Sequence, residues 1–383
     1  MSAVVRVLCA AAVFALLAAP SANASTHVAR QLALLQHAGI QAPRVLKPVL
    51  RRTQSVDEPA LADTYQPGVA WEWQWDAARL NEVPDWALRA AAGVKIAVVD
   101  SGADVDAPDL ADKAPQTWSV LTRGTRVRDK LGHGTFVASL ATGSVTNATG
   151  ISGFGGDARL LAVQAIDADG YITDVDEAAA IVYAVRHGAK IVNLSIGGNE
   201  TSQIEQRAIR WAARRGVLVV AAAGNEHEEG NQPEYPAALL QPLGSHGRGG
   251  IGLAVGATSM NGKRAYFSNT GSYLSLAAPG HNVFAAESAD APWPRAQLPW
   301  ASPGYYGWAS GTSFAAPEVA GVAALVWGAN PKLTARQVAN VLKQSADGDG
   351  WNRELGWGRL DAAAAVELAL QTKGAALRPA LPA

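Results

Sequence analysis

Four residues in this 383-residue chain have side chains suited to acyl transfer, each where the backbone can hold it firmly. Ser313 follows a Gly-Thr pair and leads into the apolar run Phe314 to Trp327. A helix that is apolar almost all round belongs inside a large core. Pro317 is tolerated because it lies in the first turns, and Gly328 with Asn330-Pro331 supplies the stop. A serine at such a helix start has unpaired N–H groups and the positive end of the helix dipole beside it, ready for a developing oxyanion. The same serine also suits a plain N-cap, so Gly-Thr-Ser alone decides nothing. Asp100 ends the apolar run Val94 to Val99, where a desolvated carboxylate needs a partner. His133 stands between Gly132 and Gly134, which let other segments approach its ring, although it is one of seven histidines. Asn225 follows the apolar run Val217 to Ala222; it suits a turn and equally an amide donor to an oxyanion. An acid that orients an imidazole, an imidazole that takes a proton and a hydroxyl that attacks are what nucleophilic acyl transfer requires.

The elements that must position these residues alternate. Strands are expected at Val94–Val99, Leu160–Gln164, Lys190–Leu194 and Val217–Ala222. Helices are expected at His133–Thr142, Asp174–His187 and Ser202–Arg215. Near-continuous apolar strands separated by helices predict an α/β fold, a three-layer doubly wound and mostly parallel sheet with helices on both faces. Shorter segments at Gly252–Val255 and Leu274–Ala277 precede the helix after Ser313, and helices at Thr334–Gln344 and Leu360–Leu370 close the domain. Asp100, His133 and Ser313 then all fall at strand ends or helix starts, where open α/β sheets place their sites.

Residues 1–24 read as a secretory signal. Arg6 precedes a short apolar run, and Ala22-Asn23-Ala24 fits a cleavage site; the run is too short to span a membrane well. The one cysteine, Cys9, lies inside that segment, so a mature chain has neither cysteine catalysis nor a disulfide framework. Residues 25–65 hold one weakly amphipathic helix near Val28–Ala38 and the basic pair Arg51-Arg52, and read as a short pro-segment or N-terminal extension. The main domain is placed at 66–370, opening on Trp71-Glu-Trp-Gln-Trp75, where packing onto the core is the expected use of the tryptophans. Residues 371–383 are Ala/Pro-rich and expected to be disordered. The net charge of −1 gives no electrostatic case for nucleic acid or anionic membrane.

The order Asp…His…Ser, with its surrounding motifs, resembles the subtilisin-like serine proteases. The motifs are Val98-Val-Asp-Ser-Gly-Ala-Asp104, His133-Gly-Thr-Phe-Val-Ala-Ser139, Asn193-Leu-Ser-Ile-Gly-Gly198, Ala221-Ala-Ala-Gly-Asn225 and Gly311-Thr-Ser-Phe-Ala-Ala-Pro317. The resemblance implies an exported endopeptidase in which Asp100 orients the imidazole, His133 is base then acid, Ser313 is the nucleophile and Asn225 completes the oxyanion hole. It further implies that Ser195, Gly197 and Gly198, with the strand around Gly170, pair with an extended polypeptide substrate. Ala222, Ala223 and Gly224 would wall the pocket for the residue before the cut. No cofactor is required and a monomer is expected. Asp109 and the loop Ser144–Ile151 resemble the region where relatives hold a structural calcium, which leaves a calcium open while no metal ligand is assigned.

Several departures from the family pattern stand out. Phe136 replaces a common second histidine and Ser139 a glycine; neither belongs to the triad. Glu234, before Tyr235-Pro236, suggests a basic residue before the scissile bond, and a solvated acidic loop explains it as well. The stretch Glu287–Tyr306 is long and aromatic, and is expected to be a packed surface loop. The competing readings are a catalytically silent peptide-binding module on the same fold, which four filled catalytic positions oppose, and an α/β-hydrolase, for which no Gly-x-Ser-x-Gly elbow exists. A dinucleotide-binding enzyme fails because Gly150 to Gly155 matches the fingerprint only in part. Amidase or tripeptidyl activity stays open.

Overall fold

The computed structural model describes residues 22–42, 50–53, 72–147, 150–291 and 305–374. In chain order the elements begin with α1 (Ala22–His37), β1 (Leu50–Thr53), α2 (Trp73–Ala77), α3 (Asp85–Ala90), β2 (Lys95–Asp100) and α4 (Pro108–Ala111). Next come β3 (Gln116–Ser119), α5 (His133–Thr142), β4 (Arg159–Gln164), β5 (Tyr171–Thr173), α6 (Asp174–Arg186), β6 (Ile191–Leu194) and β7 (Ile196–Gly197). Then follow α7 (Gln203–Arg214), β8 (Leu218–Ala222), α8 (Ala237–Leu240), β9 (Gly252–Thr258), β10 (Leu276–Pro279) and β11 (Val283–Glu287). The last are β12 (Tyr305–Ala309), α9 (Thr312–Ala329), α10 (Ala335–Gln344) and α11 (Ala362–Gln371).

Seven of the described strands form one sheet in the order β10-β9-β8-β6-β2-β4-β3, with every neighbouring pair parallel. Side chains alternate faces along a strand, and the two faces feed two cores. Ile96 and Val98 of β2 join Leu140 of α5 and Phe314 of α9 on one side. Ala97 and Val99 join Ile181 of α6 and Ile209 of α7 on the other. This is the doubly wound sheet that the apolar runs predict. Helix α9 is buried from Thr312 through Trp327. Among the described residues it is the one helix long and apolar enough to cross a membrane, and the protein itself buries it.

Local signals account for the boundaries. Ser202 caps α7 and Thr334 caps α10, each in a capping box with the residue three positions on. Trp73 and Trp75 donate their indole N–H groups to the carbonyls of Asn282 and Ser152, the packing role expected of them. Three features differ from the sequence reading. The edge strand β3, sequence Gln-Thr-Trp-Ser, is too polar to read as a buried strand. The antiparallel hairpin β11–β12 replaces the expected loop at both ends of 287–306, while 292–304 lie outside the described residues. The third is β1, which forms where only an extension was expected. Most of the expected signal and tail also fall outside the described residues; α1 begins at Ala22 and α11 ends at Gln371.

The winding reverses between neighbouring strands β2 and β6, since β2 leads toward β4 and β3 while β6 leads toward β8, β9 and β10. The crevice at the carboxyl ends of such a pair is where open α/β sheets bind ligands. Asp100 ends β2, and Ser195 follows β6.

Candidate active site

Asp100 and His133 meet at this crevice. His133 Nδ1 lies 2.8 Å from Asp100 Oδ1, with both side chains buried. The second nitrogen of the ring, Nε2, is buried without a hydrogen-bond partner. Ser313 arrives on the first turn of α9. Its hydroxyl donates to the Ser195 carbonyl at 3.2 Å, and the Ser195 hydroxyl donates back to the Ser313 carbonyl at 2.6 Å. Asn193 in β6 steadies that link by donating to Ser195 Oγ. The neighbour of the serine, Phe314, sets its ring 5.4 Å from that of His133 and 4.6 Å from that of Phe136. Phe136, where a second histidine is common, therefore serves as packing beneath the site.

Asn225 stands at the turn after β8. Its Oδ1 accepts from the N–H and the hydroxyl of Thr312, so Nδ2 is the free donor, buried and unpartnered. Gly224 donates its N–H to Thr312 Oγ1 and adopts φ +112°, a conformation that favours glycine. A Cβ added there would lie 2.1 Å from Asn269 Nδ2 and 2.9 Å from the carboxyl carbon of Glu234. Glu234 is buried, so its carboxyl group lies against Gly224 rather than in a solvated loop.

Sequence reasoning missed Asp129. Its buried carboxylate accepts from Ser101 Oγ, Gly132 N, Thr135 N and Thr135 Oγ1 at 2.6–2.8 Å. Burial pushes this carboxyl up, while the four donors counteract it. Ser101 Oγ in turn accepts from Gly134 N. One carboxylate thus ties the residue after Asp100 to the helix start that carries His133. An acid four residues before a histidine and six before a threonine was the available signal, hidden between Arg128 and Lys130.

The two expected substrate edges are brought together, and the chain's own residues lie between them. Strand β1 pairs antiparallel with β5, Arg51 opposite Ile172 and Arg52 opposite Tyr171. On its other side Arg52 faces Gly197 and Thr53 faces Ile196. The edges are shorter than expected. Gly198 spends its N–H and carbonyl on Tyr235, and Gly170 donates to Asp167 before β5 begins. The Arg51-Arg52 pair, expected near a cleavage point, sits inside this strand. Helix α1 rests on α6, with His27 Nε2 2.6 Å from Asp176 Oδ1 and Trp211 Nε1 donating to the carbonyl of Ala38.

Away from the cleft, Asp109 follows the start of α4. Its Oδ1 accepts from Ile151 N and its Oδ2 from the Tyr306 hydroxyl. Burial raises its carboxyl to about 6 and that of Glu72, whose Oε1 accepts from Ser152 N, to about 7.

A buried Asp–His pair, a helix-start serine and an oriented amide at one reversal point of a doubly wound sheet define a class of protein, an α/β hydrolytic fold with a serine site. The Subtilase family model matches residues 91–358. Thermitase of Thermoactinomyces vulgaris is 33% identical over 300 residues, 77% of this chain and 96% of the relative. Subtilisin BL of Lederbergia lenta is 35% identical over 274 residues, 72% of this chain and 91% of the relative. A thermophilic serine proteinase of Bacillus sp. (strain AK1) is 32% identical over 288 residues, 74% of this chain and 63% of the relative. The chain belongs to the subtilase family and is a serine-type endopeptidase.

Proposed function

We propose that this chain is the precursor of an exported endopeptidase that cleaves extended polypeptides through an acyl-enzyme at Ser313. The Ser313 hydroxyl turns from the Ser195 carbonyl to His133 Nε2, passes its proton there and attacks the scissile carbonyl carbon. Asp100 holds the ring through Nδ1 and stabilises the imidazolium. The carbonyl oxygen becomes an oxyanion that receives Asn225 Nδ2 and the Ser313 N–H at the positive end of α9. Collapse breaks the C–N bond, and the imidazolium gives its proton to the departing amine. Water then repeats the sequence with His133 as base and frees the acid product. No step needs a cofactor, and one monomer contains every group.

The observation that carries this reading is β1, an extended peptide held by main-chain pairing on both edges of the cleft. Such augmentation supplies affinity without regard to side chains. The last described pair of that strand, Thr53 opposite Ile196, lies one residue from Ser195, whose carbonyl holds the Ser313 hydroxyl. The bond expected to be cut first is therefore Gln54–Ser55, and residues 25–54 are the inhibitory pro-segment that leaves.

Intact mass after treatment with a fluorophosphonate tests both halves. A single adduct on a chain beginning at Ser55, with neither adduct nor trimming in Ser313→Ala, is the expected result. A chain trimmed at that bond that takes no adduct would overturn catalysis at Ser313.

A further inference from the structure

The resemblance leaves a calcium open beside Asp109, and the described residues there do not fit one, 148 and 149 of the loop lying outside them. Calcium takes six to eight oxygen ligands at about 2.3–2.6 Å, so it needs lone pairs converging on open space. The described hydrogen-bonding groups that meet Asp109 are donors, and the carboxyls of Glu72 and Asp112 are its acidic neighbours. The Ile151 N–H points at Oδ1 from 2.5 Å and the Tyr306 O–H at Oδ2 from 2.8 Å. The Ser144 N–H takes the Asp109 main-chain carbonyl at 2.8 Å, and the Ser152 N–H takes Glu72 Oε1 at 3.0 Å. Asn147 turns its amide N–H onto the carbonyl of Pro108.

The space is filled as well. Gly150 has φ +66°, and a Cβ there would lie 2.1 Å from Asp109 Oδ1 and 2.2 Å from the Tyr306 hydroxyl. The loop has closed onto the carboxylate and the phenol to the limit that a glycine allows. Among the described residues no group of three or more His, Cys, Asp or Glu side chains is placed to hold a metal ion.

We infer that the Tyr306 hydroxyl does in this chain what a bound cation would do, clamping the loop after α5 to α4 through Asp109 and making the fold independent of calcium. Tyr306 belongs to β12, is almost fully buried and stacks on Phe284 of β11 at 5.9 Å. The clamp thus joins three segments that only tertiary structure brings together: α4, the loop that closes back from α5, and the hairpin that leads into Gly311-Thr312-Ser313. A cation would have to be recruited from solution, whereas a tyrosine is supplied by the fold and cannot be chelated. Its hydroxyl donates to a buried carboxylate, and a buried hydrogen bond to such a group is stronger than a neutral one.

Thermal unfolding of the full chain in the self-cleavage-free Ser313→Ala background tests this, once in millimolar EDTA and once in millimolar calcium. The expected melting temperatures agree within about a degree, since a ligand that binds the native state would raise Tm with its concentration. Adding Tyr306→Phe should lower Tm by several degrees, equally in both solutions. A parent chain that loses stability in EDTA and recovers it with calcium overturns the proposal, and so does a Tyr306→Phe chain as stable as its parent. Should Tyr306→Phe fail to fold, the EDTA comparison on the parent decides alone, backed by equilibrium dialysis, where stoichiometric calcium uptake counts against the proposal and its absence for it.

Discussion

Asn225 Oδ1 accepts two hydrogen bonds from Thr312, one from its N–H and one from its hydroxyl, each of 2.9 Å. The residue before the candidate nucleophile therefore fixes which way the amide faces, and Nδ2 is left to donate. Removing that donor with Asn225→Ala should lower kcat by about 10²–10³-fold with KM little changed. Thr312→Val keeps the N–H and loses the hydroxyl, and should cost on the order of 10-fold. Steady-state kinetics on one peptide substrate compares the two, and a valine variant as damaged as the alanine variant would speak against the orienting role.

Asp129 is buried, yet both Ser101 and the start of α5 hang on it. An asparagine there presents N–H groups to a nest of two N–H and two O–H donors, so at least one donor is left unmatched at about 1.5–3 kcal/mol. Asp129→Asn should lower Tm and should lower kcat by roughly 10–100-fold through displacement of His133. Because the ring moves, the acid limb of the kcat/KM profile should shift too. A purely structural role would reduce Tm alone.

The carboxyl of Glu234 behind Gly224 predicts discrimination before the cut. Peptides with Arg at that position should be turned over faster than Leu peptides, by about 10-fold, and Glu234→Gln should erase the difference. Equal kcat/KM for Arg, Leu and Phe peptides in the parent enzyme would remove the case for a basic preference.

Arg52 is paired across both edges of the cleft, to Tyr171 and to Gly197. A proline in a central strand removes a ladder hydrogen bond. A synthetic peptide of residues 22–54 should inhibit the trimmed enzyme, and the Arg52→Pro peptide should do so about 10-fold less well. The precursor carrying Arg52→Pro should show a shorter lag before activity.

Glu318 lies five residues into α9 past Ser313, fully buried, with neither carboxyl oxygen hydrogen-bonded. Burial holds its carboxyl well above the ordinary value of 4.5. The group is neutral in both states below that value, and folding must exclude its charge as pH rises above it. Its contribution is thus most favourable in acid and is lost progressively toward neutral pH. Glu318→Met should stabilise the chain at pH 7 by about 1–3 kcal/mol, the range for relieving a buried unpartnered polar group. The gain should shrink toward pH 4, as denaturant midpoints measured at the two pH values would show.

Legibility in the sequence followed periodicity and burial. The strands around Ala97, Val192 and Val220 are apolar on both faces, and α9 is apolar all round, so both announce themselves. Asp100, His133, Ser313 and Asn225 were visible because each ends or begins such an element. What stayed hidden depends on partners far along the chain. Asp129 reads as one charge in a polar loop until Ser101 and Thr135 are seen beside it. Leu50–Thr53 has no strand pattern of its own; its conformation comes from two open edges, as β preference generally depends on context. Tyr306 reads as one aromatic in an irregular stretch because its partner Asp109 is 197 positions away. Gly198 looked like part of an edge, and only the fold shows that Tyr235 claims it.

Strand β1 and the cleft it fills belong to one covalent chain, which makes their pairing a matter of tether length rather than of protein concentration. A linked segment acts at an effective concentration in the millimolar range for short flexible connections. A rival polypeptide at ordinary abundance should not displace it, and diluting the uncut protein should change nothing. Once the linking bond is broken, the same residues become a separate ligand held by four strand positions and the face of α1 on α6. Their retention then depends on volume. On the proposed reading, a cut protein released from a crowded compartment into open surroundings would switch on simply by being spread thin.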